Sequence, residues 1–230
     1  MRSLKAFVDY NNPESFASRL RKRRIRYVAD LVAETYRRRR QCQILDLGGT
    51  PTYWNIFPPT WYEEFGVCVT LLNLDEIPVP ERMSKHFRCI KGDACDLTIF
   101  NDGAFDLVHS NSVIEHVGGW ERMQAMAHES ARVGKNVYLQ TPYFWFPIEP
   151  HFLTPFLHWL PLSTRSWIAC RFALGNWPRA RSFDEAIKAQ LSSALLDKRM
   201  VESLMPKAEI HFERVLGFPK SLIAIQRENE

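Results

Sequence analysis

Residues Gln43 to Trp54 read Q-I-L-D-L-G-G-T-P-T-Y-W, and this stretch constrains the fold more than any other. A short apolar run, Ile44-Leu45-Asp46-Leu47, feeds a Gly48-Gly49 turn, and Thr50-Pro51-Thr52 offers a helix start. A strand, a glycine turn and a helix N-terminus, in that order, open a nucleotide-binding α/β unit. Glycine permits positive φ and a close approach of backbone to ligand. The N–H groups at a helix start are donors for polar or anionic ligand atoms. Asp46, at the strand end, is expected to face the same crevice. Such a turn also occurs without a ligand, so its meaning rests on the residues downstream.

From Gln43 onward, strand-like and helix-like stretches alternate. Val67 to Leu72, His86 to Ile90, Phe105 to His109 and Val137 to Gln140 are apolar runs that predict strands. Trp54, Phe57, Trp61 and Phe65 suggest a helix that Pro58-Pro59 breaks, and Gly119 to Arg132 a second helix closing at Gly134. Continuous apolar strands separated by helices indicate a parallel sheet covered on both faces, with right-handed crossovers. Ser182-Phe183-Asp184-Glu185 is a capping box opening a helix toward Leu196, and a further helical piece ends before Pro206. Ile210 to Leu216 and Ser221 to Ile225, joined by Gly217 to Lys220, predict an antiparallel pair at the sheet edge. Upstream, Asn12-Pro13 reads as a helix cap before Phe16, Leu20, Ile25, Val28, Val32 and Tyr36 at helical spacing. The arginines between them form either a solvated helix face or a basic surface for a phosphorylated or membrane-bound substrate.

A chain of 230 residues accommodates one α/β domain with a full core and an insertion. The expected divisions are a basic N-terminal helix (1–40), a core (41–142), an aromatic, proline-rich insertion (143–181), and a C-terminal helix with edge strands (182–230). A net charge of +4 gives no global case for nucleic acid, and no binding motif interleaves the basic run. Five cysteines without paired spacing argue against zinc and against a disulfide framework. With no secretory signal and no long apolar run, the reading is a cytoplasmic protein, monomeric or homodimeric, whose insertion aromatics could touch a membrane surface.

In an open parallel sheet, ligands bind beyond the carboxyl ends of the strands. There the sequence gathers Asp46, Gly48 and Gly49, then Asn73-Leu74-Asp75, then Gly92-Asp93-Ala94, then Ser110-Asn111-Ser112. Taken in order, I-L-D-L-G-G-T, L-L-N-L-D, K-G-D-A-C-D-L, F-D-L-V-H-S-N-S-V-I-E-H-V and Y-L-Q-T-P resemble class I S-adenosylmethionine-dependent methyltransferases, most of all the type 11 branch. The resemblance spans about residues 40 to 140. It implies a seven-stranded, mostly parallel Rossmann-like sheet with an antiparallel C-terminal pair, and S-adenosylmethionine as cofactor. Residue by residue it implies that Asp46 holds the methionine end with Gly48 and Gly49 below. Asn73, beside Leu74, grips the ribose where the family usually has a carboxylate. Asp93 accepts from the adenine amino group with Ala94 N–H beside it, and Ser110 lies against the methionine moiety. Thr50 and Thr52 replace the family's later glycines. That departure, with Asn73, supports an alternative in which the protein keeps the fold as a binding or scaffold module without catalysis.

Methyl transfer requires mainly that the acceptor be positioned and desolvated. A hydroxyl acceptor also benefits from a general base, for which histidine suits. His116 in I-E-H-V is the first candidate, oriented by Glu115, and His151 and His158 in the insertion are the alternatives. The amino-methylating signature [D/N/S]-P-P-[Y/F] is missing after strand four, which favours oxygen over nitrogen as the acceptor atom. No carboxylate cluster suits a metal. The insertion, after strand five, is the expected acceptor lid, for a small-molecule, glycan or lipid-linked acceptor.

Overall fold

A computed structural model describes residues 16–149, 152–175 and 177–228, with the side chains of 16–20 left undescribed. The Asn12-Pro13 cap and His151 lie outside the described residues. Seven strands form one sheet in the order β3-β2-β1-β4-β5-β7-β6. β1 (Cys42–Leu47), β2 (Val67–Asn73), β3 (Phe87–Lys91), β4 (Phe105–Asn111) and β5 (Gly134–Pro142) run parallel, and β7 (Phe218–Gln226) pairs antiparallel with β5 and with β6 (Glu209–Val215). This is the α/β architecture expected from the alternation of apolar runs.

Strand residues alternate between the two faces, so neighbours in sequence feed different cores. Ile44, Val69, Leu71, Leu107 and Ile223 meet Val28, Leu31 and Val32 of helix α1 (Phe16–Arg39). The aromatic pieces α2 (Pro51–Trp54) and α3 (Pro59–Glu64) complete that side with Trp54, Trp61 and Tyr62. Leu45, Leu72, Val108 and Leu139 face the other way, onto Met123 and Met126 of α4 (Trp120–Val133) and Val201 of α7 (Lys198–Leu204). A smaller core under the insertion joins Phe152, Leu157 and Leu174 to Ala169 of α5 (Leu162–Arg171) and Ala186 of α6 (Phe183–Leu191).

Several local expectations shift. The helix after Ser182 stops at Leu191 instead of running toward Leu196. Ser192 and Ser193 are poor helix interiors, and the chain there is drawn off by bonds from Ala194 N to Glu115 O at 2.7 Å and between His116 Nδ1 and Ser192 O at 2.9 Å. The terminal hairpin is tighter than Gly217 to Lys220 suggested. Leu216 (φ 49°) and Gly217 (φ 85°) alone make the turn, two left-handed residues matching strand twist, and Phe218 already belongs to β7.

The arginines of α1 are neither a plain solvated face nor a plain basic surface. Arg24 is buried, with Nε 3.3 Å from Glu213 Oε1 on β6. Arg39 reaches Asp106 and Glu228, and the Arg21 guanidinium lies 5.1 Å from the centre of the Tyr53 ring. Part of the basic run therefore ties α1 to the sheet.

Glu129 on α4 fixes the 97–102 loop by accepting from Leu97 N and, with both oxygens, from Arg132; Arg132 in turn donates to Leu97 O, Phe100 O and Asp102. Arg132 pulls the Glu129 carboxyl down from 4.5 to about 2, with Leu97 N–H assisting against the cost of burial. A depressed carboxyl stabilises the fold fully above its unfolded value and loses that contribution as pH falls through the folded one. Glu129→Gln is thus expected to melt lower than the parent at pH 7 and to show a shallower loss of melting temperature between about pH 4.5 and 2, measured by calorimetry.

The cysteines are all free, and burial raises the Cys42 thiol to about 12, so it acts as a packing group. Among the described residues no helix is long and apolar enough to cross a membrane.

Candidate functional site

The strand order reverses between β1 and β4, and the carboxyl ends of β1, β2 and β3 open on the β1 side of that point into a cavity of about 400 Å³. Gly48, Asn73, Leu74, Asp93 and Ala94 line it, joined by His116 from the turn after β4. Four loops distant in sequence are brought together here. Val113, Val117, Ile77 and Arg122 also line the cavity, and sequence reading missed them. They carry no motif of their own, but they neighbour the Ser110 to Val117 stretch and Asp75 in the chain.

Gly48 has φ 68°, which favours glycine, and its N–H is committed to Leu72 O at 2.8 Å. The turn therefore presents a bare Cα to the cavity, not an amide donor. A Cβ there would come within 2.7 Å of Val113 Cγ2. Asn73 Nδ2 donates to Gly49 O at 3.0 Å, which aligns the amide and leaves its oxygen as an acceptor. Asp93 accepts from Cys95 N at 2.9 Å and from Arg122 Nη2 at 2.8 and 3.0 Å. The Arg122 guanidinium holds this carboxyl below the usual range, so it is an acceptor at neutral pH, with lone-pair capacity left on Oδ2.

Asp46, Gly49 and Ser110 do not line the cavity. Asp46 turns inward, where Oδ2 accepts from Trp54 Nε1 at 2.7 Å and Oδ1 from His109 Nδ1 at 2.6 Å. His109 Nε2 then meets the Tyr53 hydroxyl at 3.1 Å, and its ring stacks on Tyr138. The carboxylate is consumed by protein donors because α2 ends after one turn and delivers Trp54 directly beneath it. Gly49 sits against this network: a Cβ there would fall 1.6 Å from Asp46 Oδ2. Ser110 is buried inside β4. The polar character of Tyr53, Trp54 and His109 was visible in the sequence, but their convergence on Asp46 depends on the β1–β4 register, which pairs Asp46 with His109.

His116 lies on a single 3₁₀ turn, Ile114–His116. Its Nδ1 donates to Ser192 O, since a carbonyl only accepts, which places the lone pair of a neutral ring on Nε2. Glu115 is buried, with Oε2 accepting from Thr141 Oγ1 at 3.0 Å.

Residues 60–137 match the family model described as a methyltransferase domain. Over those residues the chain is similar to the type 11-like branch of methyltransferases. No curated protein matches the chain. Of solved structures, the methyltransferase domain of bacterial CtHen1-CN is similar at 13% identity, over 90% of this chain and 99% of that one, with a TM-score of 0.51. A protein of Bordetella parapertussis described as possibly exported is similar at 14% identity, over 86% and 66%, with a TM-score of 0.50. The N-terminal domain of EvdMO1, solved with SAH bound, is 16% identical over 87% and 81%, with a TM-score of 0.48.

The cofactor of this methyltransferase is S-adenosylmethionine, and the cavity suits it. The floor is apolar (Leu72, Ala94, Val113), as a purine and ribose require, with acceptors at Asn73 and Asp93. The Cα face of Gly48 gives the close approach that a side chain would block.

Proposed function

We propose that this methyltransferase transfers a methyl group to a hydroxyl oxygen of a small-molecule, glycan or lipid-linked acceptor. The carrying observation is the cavity that gathers Gly48, Asn73, Leu74, Asp93, Ala94 and His116. Asn73 Oδ1 accepts from the ribose hydroxyls, Asp93 accepts from the adenine amino group, and Gly48 with Ala94 shapes the floor. Asp46, Gly49 and Ser110 act from behind, holding the turn and strand end. When bound, S-adenosylmethionine would supply an electrophilic methyl group on a sulfonium, with S-adenosylhomocysteine as the leaving group. His116 Nε2 would take the proton of the acceptor hydroxyl. Residues 143–181 serve as the lid of one continuous domain, excluding water from that step.

Calorimetric titration with S-adenosylhomocysteine tests the cofactor site. Asp93→Ala is expected to weaken binding roughly tenfold or more, as loss of a charged hydrogen bond does. Asp46→Ala is expected instead to lower the melting temperature. No binding by a cooperatively melting parent would move the reading to a scaffold protein.

Most of the large apolar side chains left exposed fall between Trp145 and Leu191, among them Trp167 at 52% and Phe172 at 61%. Arg171 lies over Trp167. Exposed indole beside a cation favours a lipid-linked acceptor met at a membrane surface. Co-sedimentation with anionic phosphatidylglycerol vesicles, reduced in Trp167→Ser, is the expected result; equal recovery with and without vesicles would favour a free acceptor.

A further inference from the structure

Arg122 stands in the first turn of α4, where a cation opposes the helix dipole. Its side chain folds back over Gly118, which has φ 118° and no Cβ; a Cβ there would come within 3.2 Å of Arg122 Cδ. The guanidinium is then held at two points. Nε donates to Val117 O at 2.6 Å, and Nη2 donates to both oxygens of Asp93, at 3.0 Å to Oδ1 and 2.8 Å to Oδ2. Arg122, Val117 and Asp93 all line the cofactor cavity. The cation thus joins the loop after β3 to the loop that follows His116, across one end of that cavity.

Folding stability does not account for this placement. The Arg122 and Asp93 side chains are 49% and 36% exposed, and an ion pair so open to water adds little to stability. The loop after β3 is in any case tied to α4 a second time. Cys95 Sγ donates to Arg122 O at 3.3 Å, and burial pushes the Cys95 thiol up to about 11, so it stays a donor. What Arg122 does decide is which part of Asp93 is left for a ligand. A carboxylate offers about four lone-pair sites on its two oxygens. Cys95 N and Arg122 fill both on Oδ1, and Arg122 takes one on Oδ2. A single acceptor site remains, on Oδ2. Without the guanidinium, a side chain this exposed is free to turn about its last torsion, and the remaining lone pair has no fixed direction.

Resting on the reading of Asp93 as the acceptor of the adenine amino group, we propose that Arg122 is a positioning residue for cofactor selection. It fixes the plane of the Asp93 carboxylate so that one lone pair meets an amino hydrogen of adenine. A purine with a 6-oxo group brings no hydrogen to that atom and sets oxygen against oxygen. The fixed plane therefore selects for the 6-amino purine, where a freely turning carboxylate would swing aside.

Calorimetric titration of the full chain with S-adenosylhomocysteine and with its 6-oxo counterpart, S-inosylhomocysteine, tests this. The parent is expected to favour the adenine compound roughly tenfold. Arg122→Gln, which loses the charge and the fork, is expected to cut that preference to about threefold or less. Arg122→Lys keeps the charge without the fork and should fall between the two. Placed on Asp93→Ala, Arg122→Gln should change either affinity by no more than about twofold, because its target is gone. The preference is the deciding readout, since replacing a residue that only braces the loop would weaken both compounds alike. Equal weakening of both compounds, the parental preference in either folded Arg122 variant, or a fully additive loss in the double variant would overturn the proposal while leaving Asp93 as the adenine acceptor. A parent that binds the two compounds alike, or an Asp93→Ala variant that keeps the preference, would overturn the reading of Asp93 itself, and the role of Arg122 with it.

Discussion

Gly49→Ala is expected to lower the melting midpoint by roughly 6–20 °C or to prevent accumulation of folded protein. An added Cβ would lie 1.6 Å from Asp46 Oδ2 and 2.1 Å from its Cγ. Contacts that short cannot be relieved by a small shift, so Asp46 must rotate away. Rotation strips Trp54 Nε1 and His109 Nδ1 of their acceptor in a site where Asp46 and His109 are each 1% exposed. Leaving a buried carboxylate without its partners costs about 3–5 kcal/mol, and for a chain of this size each kcal/mol moves the midpoint about 2–4 °C. Two controls separate this cause from generic glycine loss. Gly217→Ala, at φ 85° with nothing within 4 Å, should cost only the ~1–2 kcal/mol of left-handed backbone. Gly49→Ala placed on Asp46→Ala should add little, because the clash partner is gone. A full additive loss in that double variant would refute the account.

This second glycine shows how far the sequence could be read. The G-G pair was legible as a turn, and Gly48 does carry the positive φ and the face on the cavity. Gly49 carries neither; it is small because Trp54, eight residues from Asp46, and His109 of β4 hold the Asp46 carboxylate against it. Strand-end positions follow from the alternation of apolar runs, so Asn73 and Asp93 were legible as cavity neighbours, and His116 as a candidate base in the stretch after strand four. The inward turn of Asp46 was not, because it depends on which residues the β1–β4 register sets opposite one another. The same limit applies to Arg24, whose burial against Glu213 needs β6 beside α1. In the insertion, prolines and aromatics announced irregular structure. The meeting of Glu149, His158, Arg165 and Gln190 depends on α6 folding back, which no spacing encodes.

The His116 turn couples these two regions, and removing its imidazole should have the largest effect on turnover. His116→Ala is expected to lower kcat by about 10²–10⁴-fold, the usual contribution of a positioned general base, while S-adenosylhomocysteine affinity stays near that of the parent. Turnover is read as S-adenosylhomocysteine release with methyl glycosides and inositol as acceptors. The side chain has two jobs, because Nδ1 also anchors Ser192 O and with it the segment after α6. His116→Asn separates them: an amide can still donate to Ser192 O but is no base. If proton removal is the role, the asparagine variant stays as slow as alanine in kcat while recovering the acceptor KM. If the role is positioning alone, asparagine restores both parameters. The base would then have to come from another side chain.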